Sequence, residues 1–156
     1  MLQSKSQFLG YHSDPVEQPE HKGSRQLLDY WNAKRQENGP LRRVDLNPAE
    51  IAAALPGVFV AEKVDDTFRF RLVGSDVEAR MRRVVTGMTL QEIYGEEIGA
   101  KTADMYADII RTGKPLCLQG NFVGDNLEHA RIESLMLPLE FESGSPGIVG
   151  ALFDLN

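Results

Sequence analysis

The chain is poor in the residues that most often carry metal chemistry or nucleophilic catalysis. Its 156 residues include one cysteine (Cys117), one tryptophan and three histidines. A single cysteine excludes an internal disulfide and any cysteine-based zinc finger, and a lone thiol agrees with a reducing cytoplasm. Long apolar runs are missing too: no stretch approaches the ~20 residues of a membrane helix. Near the N-terminus, Phe8-Leu9 is far too short for a signal-peptide core. Basic charge is also scarce, since 17 Lys and Arg face 23 Asp and Glu for a net charge of −6. A general nucleic-acid binder would present the opposite balance. These absences predict a cytoplasmic protein with neither nucleic acid nor a membrane as partner.

What remains has the composition of a globular protein, 42% hydrophobic and 26% charged, at a length that suits one domain. Residues 1–23 are polar and aperiodic, with Pro15 and Pro19 among them. They read as a mobile arm with a short docking segment around Phe8, Leu9 and Tyr11, leaving residues 24–156 as a single domain. Ser24 is the expected N-cap of a helix to about Gln36. Leu27, Leu28, Trp31 and Arg35 fall at helical spacing in it, and Gly39-Pro40 closes it. Asn47-Pro48-Ala49-Glu50 opens a short helix that Pro56-Gly57 stops.

Residues 58–64 and 68–73 then read as a β-hairpin turning at Asp65-Asp66-Thr67. From Gly74 to Thr112 the period is helical. A turn of helix capped by Ser75 or Asp76 runs through Met81, and Thr86-Gly87 breaks it. A second short piece carries Leu90, Ile93 and Tyr94. A long helix follows with Ile98, Thr102, Met105, Tyr106 and Ile109 on one face, ended by Gly113 and Pro115. The last third is strand, at 116–122, 131–139 and 148–154, with turns at Gly124-Asp125-Asn126 and at 143–147. No crossover helix separates these strands, so the pairing is expected to be antiparallel. The whole is a five-stranded α+β domain.

The catalytic inventory yields no assignment. There is no Gly-x-Ser-x-Gly elbow and no His-Glu-x-x-His helix. Residues 95–102 imitate a phosphate loop, but the glycine spacing is wrong and two acids occupy the loop. The dispersed His12, His21 and His129 argue against a metal site and against haem. Asp104 and Asp108 read as solvated helix acids, and Cys117 as a packed side chain without an adjacent cationic activator. The most informative stretch is Phe68-Arg69-Phe70-Arg71-Leu72-Val73. Strict alternation puts Phe68, Phe70 and Leu72 on one face and Arg69, Arg71 and Val73 on the other. Were both faces covered by helices, an arginine would be enclosed, and an acid or an anionic ligand would have to pair with it.

Leu28-Asp29-Tyr30-Trp31, then residues 45–51, Leu55-Pro56, residues 68–74 and Thr86-Gly87, taken in order, resemble the PAS-domain family found as small stand-alone proteins in alphaproteobacteria, once filed as a domain of unknown function. The resemblance spans about residues 27–154; the family's Gly-Thr after the second strand is here Gly74-Ser75. It implies a PAS fold: a five-stranded antiparallel sheet in the order 2-1-5-4-3, with helices packed on it and an N-terminal helix. It also implies a non-enzymatic sensory module, one that binds a small molecule between sheet and helices, or a signalling protein, and acts in trans. No particular cofactor is implied. Two alternatives are a small cystatin-like α+β enzyme and a purely structural interaction domain.

The expected ligand-binding residues are Arg71, Val73, Met88, Met105, Tyr106, Ile109 and Met136, with Met81, Ile93 and Phe153 completing the lining. Arg71 would supply a forked donor for an anionic metabolite, unless Glu78, Glu92 or Glu133 engages it. Leu27, Leu28, Tyr30 and Trp31 offer an apolar surface for a homodimer, or else a cover for Phe68, Phe70 and Leu72 within one chain.

Overall fold

The computed structural model describes residues 11–122 and 131–155. A seven-stranded sheet is built from β1 (Tyr11–Val16), β2 (Leu41–Arg42), β3 (Val58–Val64), β4 (Thr67–Val73), β5 (Leu116–Phe122), β6 (Arg131–Glu140) and β7 (Pro146–Asp154). The helices are α1 (Lys22–Lys34), α2 (Ser75–Met81), α3 (Leu90–Tyr94) and α4 (Glu96–Thr112). Strand order along the sheet is β1-β5-β6-β7-β3-β4. Its last five members are the expected 2-1-5-4-3 arrangement, and every pairing on that path is antiparallel. The two-residue β2 runs parallel to β6 at Leu139 and Glu140, past the point where β5 ends.

Two strands were not foreseen, and one corrects the reading of the N-terminus. Within the expected arm, residues 11–16 pair with β5 from Tyr11 opposite Phe122 to Val16 opposite Cys117. Pro15 is tolerated because β1 is an edge strand. Phe8, Leu9, His129 and the turn at 124–126 lie outside the described residues. Helix α1 starts two residues before Ser24, capped by His21, whose Nδ1 accepts from the Gly23 N–H at 2.9 Å. At 47–57 the expected α-helix is replaced by 3₁₀ turns over Pro48–Ile51 and Leu55–Gly57. Asn47 still caps the first through the Ala49 N–H. Seven residues between two prolines are too few for a stable α-helix, and Pro56 disfavours helical backbone at Leu55.

Helices cover both faces of the sheet, which divides the core in two. On the outer face, Leu27 and Trp31 of α1 pack against Leu135, Leu137, Leu139, Val149 and Ala151. On the inner face, α2 to α4 enclose Phe59, Phe68, Phe70, Met136 and Ile148. Leu27 and Trp31 are fully buried within the chain, the Trp31 indole donates to the Pro138 carbonyl at 2.8 Å, and the Arg35 guanidinium lies over its ring. The apolar surface expected to serve a homodimer is therefore largely spent inside one molecule. What α1 covers is Leu72 and its outer-face neighbours, while Phe68 and Phe70 belong to the other side.

Candidate functional site

The buried part of the inner core is assembled from β3, β4, β6, β7, α3 and α4 and the loop before α3. Phe59 of β3 meets Phe70 of β4 at a ring separation of 5.5 Å, and Phe68 meets Tyr106 of α4 edge-on at 5.2 Å. Such tilted arrangements set the positive ring edge against the negative face. Phe59 lies flat over the middle of the sheet because its neighbour on β7 is Gly150; a Cβ there would stand 2.3 Å from the Phe59 ring. Helix α4 presents Ala103, Tyr106 and Ile109 to this cluster. Its buried face is centred on Gly99, Ala103, Tyr106 and Ile109, so Ile98, Thr102 and Met105 flank the stripe. Gly99 is required where α4 crosses α3, since a Cβ would come within 2.6 Å of the Gln91 backbone.

The loop from Arg82 to Thr89 closes one side. Arg82 ends α2 in the left-handed region. Gly87 and Met88 then run along the open edge of β4, with Gly87 N–H to the Phe70 carbonyl at 2.8 Å and Phe70 N–H to the Met88 carbonyl at 3.0 Å. Arg69 adds a hydrogen bond to the Gly87 carbonyl at 2.7 Å. Helix α3 begins with a reciprocal capping box between Thr89 and Glu92, which leaves Leu90 and Ile93 buried against the strands.

Six of the seven expected ligand residues meet here. Met136, Tyr106 and Ile109 are buried, and Val73, Met88 and Met105 pack at the margin beside Met81. Arg71 does not join them. Val60 pairs with Leu72 and Ala61 with Phe70, so Arg71 is the extra residue of a β-bulge. The bulge reverses the phase of alternation: Leu72 turns to the outer core and Val73 to the inner one. Arg71 stays 43% exposed and donates to Glu62 at 2.9 Å, not to Glu78, Glu92 or Glu133. The enclosed arginine and its anionic ligand thus lose their geometry. Phe153 is also on the outer face, stacked on His21 at 4.0 Å.

A second constellation escaped the sequence reading. Glu133 of β6 is fully buried on the outer face. It accepts from the Glu20 N–H at 2.6 Å, the His21 N–H at 3.0 Å and the Gln119 amide at 2.7 Å. Burial alone would raise its pKa, but the Glu20 N–H, the Gln119 amide, the nearby Ser24 hydroxyl and the His21 N–H outweigh it and hold the carboxyl below the ordinary glutamate range. The signal was its phase, since Glu133 falls in register with Leu135, Leu137 and Leu139. Beside it, burial pushes the Cys117 thiol up to about 12, with the Glu133 charge adding to the effect. Among the described residues, no group of three or more His, Cys, Asp or Glu is placed to hold a metal ion. No described helix is long and apolar enough to cross a membrane.

An antiparallel path in this order, with a helical layer over an apolar inner face and a capping helix on the other, is the α+β architecture that the PAS resemblance implies. A family model described as a PAS domain matches residues 19–153, and the chain belongs to that family. The cystatin-like alternative is thereby set aside. Among solved structures, an RNA-binding light-oxygen-voltage receptor is similar at 15% identity with a TM-score of 0.47. The alignment covers 93% of this chain and 38% of that one, so the chain spans well under half of the receptor's length. No curated protein matches the chain.

Proposed function

We propose that the chain is a non-enzymatic sensory PAS module that takes an uncharged, largely apolar small molecule into the inner core and passes the change to a protein partner. The observation that carries this reading is the lining. Phe59, Phe68, Phe70, Met136 and Ile148 give the inner face an apolar lining from four strands, and Arg71, the cation that would have selected an anion, is engaged elsewhere. Three methionines, Met81, Met88 and Met105, stand at the margin, where thioether side chains can repack around a guest. Family membership supports the sensory role.

Native mass spectrometry of freshly purified protein tests the reading. A retained small molecule is expected, and Ala103→Phe, which puts a bulky ring where α4 packs on the inner cluster, should abolish retention while the thermal transition stays cooperative. Protein that carries nothing, and gains no stability from a panel of neutral apolar compounds, would leave the purely structural interaction domain as the better account.

A further inference from the structure

Among the described residues, two large apolar side chains stand in the open: Val84 is 69% exposed and Val44 55%. Their charged surroundings are opposite in sign. Val84 follows Arg82 and Arg83, both exposed. The Arg82 guanidinium has no partner among the described residues. That of Arg83 donates to the Glu92 and Ile93 carbonyls, which leaves its charge unneutralised. Val44 lines a cleft of about 300 Å³ together with Phe141, Gly144, Arg42, Glu140 and Glu142. Arg42 is already paired with Asp45 at 2.9 Å, so the cleft keeps two acidic charges around an apolar floor. Glu140 accepts from the Gln36 amide at 3.0 Å, and the Glu142 carboxylate has no partner among the described residues.

We infer that the Arg82–Val84 tip docks into the Val44–Phe141 cleft of a second copy of this chain, so that copies associate head to tail. The occupant follows from charge complementarity: a valine beside two arginines meets an apolar floor beside two glutamates. The tip is presented in a fixed shape, which lowers the cost of binding. Val85 next to it is fully buried, and Gly87 and Met88 are bonded to Phe70. A chain does not fill its own cleft. Arg80, just before the tip, pairs with Asp154 at the end of β7, whereas the cleft lies at the β6–β7 turn, where Pro146 begins that strand. The nine residues of β7 set these two ends about 27 Å apart. Tip and cleft are different surfaces, so the contact is heterologous and leaves one of each free for the next copy. The inference does not rest on the ligand reading, because Val84, Val44 and Phe141 lie outside the inner core.

The test follows sedimentation of the full chain up to about 1 mM, because one tip in one cleft is a weak contact. A rise in average mass with concentration is expected, smaller at high salt. Val84→Asp spoils the tip and Val44→Asp spoils the cleft. Both positions are exposed, so neither substitution threatens the fold. Should either variant lose its near-ultraviolet dichroism, Arg82→Ser or Glu142→Ser at the same surface takes its place. Each variant alone should stay monomeric. Their equimolar mixture should stop at a one-to-one pair, because it retains one intact tip and one intact cleft. A full chain that stays monomeric overturns the inference. So does association that survives either substitution, or a mixture that does not form the pair.

Discussion

Glu133 shows how a single buried acid is made tolerable. Taking a carboxylate out of water is costly unless donors surround it, and here two backbone N–H groups at the start of α1 and one side-chain amide do so. Those N–H groups would otherwise be unsatisfied at a helix N-terminus, where negative charge is also favoured. Its folded-state pKa lies below the unfolded value. The stability it contributes is therefore fully present above about pH 4.3 and is lost as the pH falls through the folded value. Denaturant titrations should find Glu133→Gln less stable by about 1.5–3 kcal/mol at pH 7, with the gap closing in acid. A gap independent of pH would contradict the assignment. Cys117 is the opposite case, a group kept neutral by its surroundings. With a pKa of about 12 it should resist iodoacetamide at pH 8 in the folded chain and react readily once unfolded. Rapid labelling of the native thiol would show that its burial is wrong.

At the scale of elements, glycines and a bulge decide what packs where. Gly150 lets the Phe59 ring lie across the sheet, and a Cβ there would also stand 2.8 Å from the Leu135 carbonyl. Gly150→Ala should therefore destabilise the chain by about 1–3 kcal/mol and disturb the inner core; an unchanged thermal midpoint would mean that Phe59 is placed otherwise. The strand positions were legible because alternation, the Asp65–Thr67 turn and the Gly113 stop are local signals. The β4 bulge was not, because it depends on where β3 shifts register. Strict period-two reading therefore put Leu72 and Val73 on the wrong faces and Arg71 inside. Strand β1 was hidden for a related reason. Its Ser13, Asp14 and Pro15 are not buried and only Val16 reaches the outer core, so the strand is ordered by a long-range pairing with β5 that composition reads as a polar arm. Proximity of Pro48 and Pro56 likewise turned an anticipated helix into 3₁₀ turns, although the Asn47 cap was visible.

At the scale of the whole molecule, the sheet separates two packed cores. Its outer face is joined to α1 by the Trp31 and Glu133 contacts, a rigid and specific arrangement. Its inner face holds side chains whose chemistry is adaptable and uncharged. Methionine makes this division measurable, because four of the chain's five methionines, Met81, Met88, Met105 and Met136, lie in the inner cluster. The chain labelled at its methionine methyl carbons should be titrated, in an NMR experiment, with the small molecule extracted from the purified protein. Binding in the inner core predicts that the methyl resonances of Met88, Met105 and Met136 move together while the Trp31 indole signal on the outer face stays fixed. Stationary methionine signals with a displaced indole, or an extract that contains no bound molecule, would contradict the account.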